Sequence, residues 1–210
     1  MKVFYIDTSS SFLYTAIYEN DKIINKKCLN LSKDLSTFTV NEVDKMFQEK
    51  KIKPRDIDKI IVVNGPGSFT GIRIGLTLAK IYAFCLNKEI TTITSLEAMA
   101  KSIKSDKLII PIIDARRNAC YAAIYNNNET ILKPSYITIE KLMLIINGLN
   151  KDYLFISNDK FDFDTIEYHP DFKEIIESFI NKESINPHLV NPDYLKLTEA
   201  EENKMKEVKE

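Results

Sequence analysis

The chain has 210 residues, enough for one large domain or two small ones, and its 44% hydrophobic and 28% charged residues are those of an ordinary soluble globular protein. A net charge of −1 argues against a dedicated nucleic-acid binder, whose affinity rests on a basic surface, but leaves room for a subunit of a larger RNA-handling complex. No apolar run approaches the roughly 18 residues of a membrane-spanning helix, and the apolar part of the N-terminal MKVFYIDTSSS is too short for a signal peptide.

From the N-terminus, KVFYI reads as a buried strand stopped by the polar cluster DTSSS. FLYTAIY and IINKKCL follow across short polar turns, which suggests an antiparallel meander of three strands. From residue 32 to about 50 the period becomes helical, with Ser32 or Ser36 as the candidate N-cap. After the charged connector KKIKPRDID, the β-branched run KIIVV suits a strand buried on both faces. A glycine turn leads into a helix over 70 to about 86, and EITTIT is the next strand. Thr94 and Glu97 fit a capping box opening a helix to about Ile103. A second cycle starts near 107. KLIIPIID and ACYAAIYN form a hairpin around ARRN, then come a short third strand, a helix from Thr138 to about Ile146, the strand DYLFIS and the helix DFKEIIESFINK. The order β-β-β-α-β-α-β-α is thus followed by a shorter version of itself. The tail TEAEENKMKEVKE reads as a solvated segment.

Cys28, Cys85 and Cys120 are odd in number and lack C-x-x-C spacing, so they read as reduced, buried thiols of a cytoplasmic protein. His169 and His188 have no metal-ligand spacing. Three of the five glycines, Gly65, Gly67 and Gly71, fall within seven residues of VVNGPGSFTGIRIGLTLAK. This stretch misses three templates. A P-loop needs Lys and Ser/Thr after its last glycine, where Ile72 and Arg73 stand. The dinucleotide fingerprint G-x-G-x-x-G is exceeded by one residue, and the serine of a nucleophile elbow would come one place later than Ser68. Two readings remain: a tight turn that lets backbones pack closely, or an anion site at a helix N-terminus.

Together IDTSS, NGPGSFTGIRIGLTLAK, TSLEAMA, PIIDARRNACYAAIY and the late NPDYLK resemble the TsaB (YeaZ) family, the bacterial partner subunit in making N6-threonylcarbamoyladenosine on tRNA. The resemblance is strong from about residue 2 to 125 and weaker to about 196. It implies an α/β actin/Hsp70-like ATPase superfold of two RNase-H-like lobes, the second abbreviated: 1–104, then 105–198, then the charged tail 199–210. The catalytic paralogue TsaD carries an H-x-x-x-H metal pair. Registering the glycine turn and the Ala79-Lys80 pair places those histidines at Ser95 and Met99, which cannot replace two imidazoles around iron or zinc. The resemblance therefore implies a subunit with no metal, no cofactor and no catalytic residue. Relatives often start the first helix with a histidine-serine pair, whereas this chain reads Leu31-Ser32.

Asp7 sits where actin-like ATPases place an acid, so Asp7, Thr8, Gly65, Gly67, Ser68 and Gly71 are candidates for a remnant nucleotide or anion site. Equally, Asp7, Thr8 and Ser9 could satisfy their own turn. Asp114 is the only rival acid, and Arg116-Arg117 read either as phosphate or carboxylate contacts or as a solvated turn. The family implies a heterodimer with TsaD through helices 32–50 and 70–86, with Leu35, Phe38, Val43, Phe47, Arg73, Leu76 and Lys80 as interface candidates. It further implies the ATPase TsaE in the larger assembly, indirect contact with tRNA, a homodimer when alone, and no membrane. The competing expectation is an ATP-dependent kinase or hydrolase of the same superfold.

Overall fold

In the computed structural model, which describes residues 1–127 and 129–196, the chain forms two five-stranded mixed sheets of the same connectivity. The first holds β1 (Lys2–Asp7), β2 (Phe12–Glu19), β3 (Lys22–Asn30), β4 (Lys59–Val63) and β5 (Glu89–Ile93), in the order β3-β2-β1-β4-β5. The second holds β6 (Leu108–Asp114), β7 (Ala119–Asn126), β8 (Glu129–Thr138), β9 (Tyr153–Ser157) and β10 (Ile166–Glu167), in the order β8-β7-β6-β9-β10. In each sheet the first three strands are antiparallel and the last two join in parallel. The helices are α1 (Leu35–Glu49), α2 (Phe69–Cys85), α3 (Ser95–Lys101), α4 (Ile139–Leu149) and α5 (Phe172–Phe179). This is the doubled RNase-H-like arrangement of an actin-like fold. The second copy is shorter because, among the described residues, no helix stands between β9 and β10 where α2 stands between β4 and β5.

Strand alternation sorts the core into layers. On β1 and β4, Phe4, Ile6, Ile60 and Val62 face outward onto α1 and α2. Val3, Tyr5, Ile61 and Val63 face inward, into a core shared with α3, α5 and residues of the second sheet such as Ile109 and Ile156. The second sheet's other face is covered by Leu142 and Ile146 of α4. The two inner helices exchange sides: α3, which follows the first sheet in sequence, packs on β6, β7 and β9, while α5, which follows the second, packs on β1, β2 and β3.

The sequence places these elements well, with three corrections. The first helix opens with a 3₁₀ turn at Ser32–Asp34 and becomes α-helical at Leu35, and neither Ser32 nor Ser36 caps it; the Ser32 hydroxyl bonds the Asn30 side chain instead. The third strand of the second sheet is ten residues long, not short. Only Cys120 is buried; Cys28, on edge strand β3, and Cys85, in the last turn of α2, are exposed. The charged tail expected over 199–210 lies outside the described residues. Among the described residues, no helix is long and apolar enough to cross a membrane.

The capping box is present: Thr94 Oγ1 accepts from the Glu97 N–H at 3.0 Å, and Glu97 Oε2 accepts from the Thr94 N–H at 2.7 Å. Thr94→Ala is expected to cost about 1 kcal/mol, a Tm loss of roughly 2–4 °C, readable by thermal unfolding. An unchanged Tm would mean that packing alone holds α3.

Candidate functional site

The glycine turn is a seat for the β1–β2 connection. At Gly67, φ is +151° and a Cβ would run into the Ser9 carbonyl oxygen; at Gly71 a Cβ would run into the Thr8 carbonyl oxygen. The same backbone is stitched by Ser68 N–H donating to the Ser9 carbonyl at 2.6 Å. Thr8 goes further. Its hydroxyl donates to the Gly71 carbonyl at 2.7 Å and accepts from the Gly75 N–H at 3.0 Å. Those two groups are i and i+4 partners in a regular helix, so a side chain from the first strand turn is inserted into the α2 ladder. The donors at the start of α2 also turn inward, since Ser68 Oγ accepts from the Gly71 N–H at 3.1 Å. The spaces the glycines leave open are therefore filled by the chain's own carbonyls.

Of the anion candidates, Asp7, Gly67 and Ser68 line a cleft of about 520 Å³ between the two sheets; Thr8, Gly65 and Gly71 are buried and do not line it. Opposite them stand Asp114 and Asp159, at the ends of β6 and β9, with Arg116 at the rim. The two acids are tied by the Asp114 N–H donating to Asp159 Oδ2 at 2.8 Å, and Asp114 Oδ1 accepts from the Arg116 N–H at 2.8 Å. Arg116, Arg117 and Asn118 at this hairpin tip are three consecutive residues at positive φ, and Arg116 lines the cleft. Sequence reasoning missed Asp159. The signal was available, because a polar SND cluster follows a parallel strand, and such strand ends are where α/β sheets place ligands.

Asp7 is buried, and its Oδ1 accepts from the Ser9 N–H at 2.7 Å, as the turn reading expected. Burial pushes its carboxyl above the ordinary 3.8, with the Ser9 bonds opposing. The native state then holds this proton more tightly than the unfolded chain does. Stability is lost as pH rises from 3.8 through the raised value, and that cost persists at neutral pH. Asp7→Asn keeps the acceptor and removes the charge. Its urea midpoint is expected to equal or exceed wild type at about pH 7, with the difference shrinking by about pH 4. A less stable Asn variant at neutral pH would mean that an opposite charge holds the carboxylate.

Ser95 and Met99 stand on α3 in the same cleft. The Ser95 hydroxyl donates to the Pro66 carbonyl at 2.6 Å, and Met99 is 5% exposed. A hydroxyl already committed to a backbone carbonyl and a thioether do not replace two imidazoles around a borderline metal ion. Among the described residues no group of three or more His, Cys, Asp or Glu is placed to hold one.

The helix pair α1–α2 forms the outer layer, and the structure redistributes the interface candidates. Leu35, Val43, Phe47 and Leu76 are at most 6% exposed and belong to the core beneath the pair, so they present no surface. Lys80 is half-buried and its Nζ donates to the Val190 carbonyl at 2.8 Å, held by the chain's own C-terminal segment. Phe38 and Arg73 are exposed. The apolar surface sequence reasoning missed is Val40, Phe69, Ile81 and Phe84, at 54%, 48%, 51% and 62% exposure. Phe69, Arg73, Thr77 and Ile81 recur every four residues along α2, and with Val40 of α1 they line an open groove. An exposed four-residue stripe was the available signal, masked because α2 is apolar on most of its circumference.

Residues 30–203 match the family model described as TsaD: tRNA N6-adenosine threonylcarbamoyltransferase. The tRNA threonylcarbamoyladenosine biosynthesis protein TsaB of Bacillus subtilis (strain 168) is 30% identical, covering 96% of each chain. TsaB of Buchnera aphidicola subsp. Schizaphis graminum is 26% identical over 89% of this chain and 96% of its own. Among solved structures, YeaZ from Pseudomonas aeruginosa has a TM-score of 0.72 at 16% identity, covering 92% of this chain and all of that one. A second chain, described as similar to peptidase YEAZ and also from Pseudomonas aeruginosa, has a TM-score of 0.78 at 17% identity over 93% and 99%.

Proposed function

The chain belongs to the TsaB (YeaZ) family of tRNA threonylcarbamoyladenosine biosynthesis proteins, and from that premise we propose that it is the non-catalytic subunit that binds and activates TsaD. TsaD would transfer the threonylcarbamoyl group to the adenosine beside the anticodon, and this chain would supply surface and conformational control. The observation that carries the reading is α3: Ser95 is committed to the Pro66 carbonyl and Met99 is a buried thioether, at the two positions that register with the catalytic paralogue assigns to its metal histidines. The match to the TsaD-described family model supports a shared fold and so a partner with a comparable helix pair. Docking uses the exposed face of α1 and α2, where Val40, Phe69 and Ile81 line one apolar groove and Phe38 adds exposed apolar surface on α1. Alone, the chain pairs with a second copy through the same face. The ATPase TsaE joins the larger assembly, and tRNA is reached through TsaD.

Mixing the chain with TsaD and measuring mass tests this: a heterodimer at micromolar concentration is expected, and its absence would remove the assigned partner. The acid-lined cleft favours one competitor, an ATP-dependent kinase or hydrolase using Asp7. Titration of the isolated chain with ATP and magnesium separates the two. No tight binding with turnover is expected; its appearance would overturn the non-catalytic assignment.

A further inference from the structure

Residues 187–194, which run into the NPDYLK segment, lie along α2. Four contacts run from the helix's C-terminal end to its start. His188 meets the Phe84 ring edge-on at 4.8 Å, and the Val190 carbonyl takes the Lys80 ammonium at 2.8 Å. The Asp193 N–H donates to the Asn64 carbonyl at 2.8 Å, just before the glycine turn. Finally Tyr194 stacks on Phe69 at 5.2 Å between centroids, and its hydroxyl accepts from Arg73 Nε at 2.9 Å. The Arg73 guanidinium itself lies over the Phe69 ring, 3.7 Å from its centroid.

Arg73 is thus held flat by a ring and pinned through Nε, although it is exposed. No carboxylate pairs with it among the described residues. A guanidinium in this state has already lost much of its rotamer freedom, and its terminal N–H groups remain to be used. Bidentate acceptors of matching geometry are carboxylates and phosphates. The surroundings choose between them. Among the described residues, Arg73 is the only charged one lining its groove, flanked by Val40, Ile74, Leu78 and Ile81. Nucleic-acid backbone requires a field of cations, and the chain's net charge is −1. A protein carboxylate set in an apolar surface fits.

We propose that the C-terminal strap, residues 187–194, is a working part of the docking face: Tyr194 positions Arg73 as the receptor for an acidic side chain of the partner subunit. This rests on the docking reading above and adds to it a charged anchor and the element that holds it. Buried among apolar contacts, such an anchor ranks with the interface residues that dominate affinity.

The test measures affinity for TsaD by calorimetry at two salt concentrations, with circular dichroism and Tm as checks on the fold. Arg73→Ala is expected to weaken association about 10-fold or more and to flatten its salt dependence. Arg73→Lys is expected not to restore it, because an ammonium neither stacks flat nor bonds bidentately. Arg73→Glu should weaken it further. Tyr194→Phe, which keeps the ring and deletes the bond to Nε, should lose affinity several-fold with an unchanged Tm. Wild-type affinity and salt slope in Arg73→Ala would overturn the inference. If Ile81→Asp abolishes association while Arg73→Ala does not, the docking face stands and the anchor alone falls. Failure of the wild-type chain to associate would remove both.

Discussion

Gly71→Ala is expected to lower stability by about 4 kcal/mol or to prevent folding altogether, although alanine is favoured over glycine inside a helix by about 1 kcal/mol. Helix propensity and tertiary seating predict opposite signs here, which makes the substitution decisive. The alanine Cβ would occupy the place of the Thr8 carbonyl oxygen, a backbone atom fixed by β1, so no side-chain adjustment can relieve it. Gly75 provides the contrast. There a Cβ would stand 2.5 Å from Thr8 Oγ1 but 3.6 Å from Thr8 Cβ. Gly75→Ala should cost about 2–3 kcal/mol in wild type and distinctly less in a Thr8→Ala background, a coupling of about 1 kcal/mol or more. No change of background should rescue Gly71→Ala. Urea unfolding of the four Thr8/Gly75 combinations and of Gly71→Ala measures all of this. Near-wild-type stability for Gly71→Ala would mean that the β1–β2 turn is not seated on α2.

Ile81→Asp is expected to weaken association with TsaD by about 30-fold or more, roughly 2 kcal/mol, while leaving Tm within a few degrees of wild type. Ile81 is 51% exposed and closes the stripe on α2, so an aspartate there costs the fold little but would be desolvated in a complex. Phe47→Ala should behave oppositely. Phe47 is 1% exposed, with its ring 5.4 Å from Phe4, and its truncation should cost about 3–5 kcal/mol of stability. Any loss of association there would follow unfolding. Gel filtration with TsaD beside thermal unfolding separates the two patterns. Undiminished binding by Ile81→Asp would move the docking site off this face.

The contrast between Ile81 and Phe47 shows what the sequence could and could not disclose. Strand and helix positions were legible because KVFYI, KIIVV and the period of α1 are local signals, and the doubled element order pointed to the paired sheets. The side of a helix that meets a partner was not legible. On α1, Val43 and Phe47 mark the apolar stripe, but an apolar stripe first covers the chain's own sheet. On α2, glycines and aliphatics surround most of the helix, so periodicity offered no direction. The motif residues fared similarly: GPGSFTG announced close backbone approach, but that Thr8 is the approaching group depends on a contact 63 residues apart. The strap over α2 and the cleft acid Asp159 likewise come from distant chain segments, where no spacing rule reaches. Ser95 and Met99 were legible only through register with a paralogue.

The exchange of α3 and α5 across the two sheets bears on the order in which the protein can be made. Val3, Tyr5, Tyr14, Ala16 and Tyr18 on the inner face of the first sheet are covered by Phe172, Ile175, Ile176 and Phe179 of α5. During synthesis that face stays bare until residues 172–179 have left the ribosome, while α3 waits for the second sheet to form beneath it. Neither half can complete its core and leave the other to follow, as vectorial folding of independent domains allows. Truncation before α5 should therefore yield an aggregating fragment rather than a smaller folded protein.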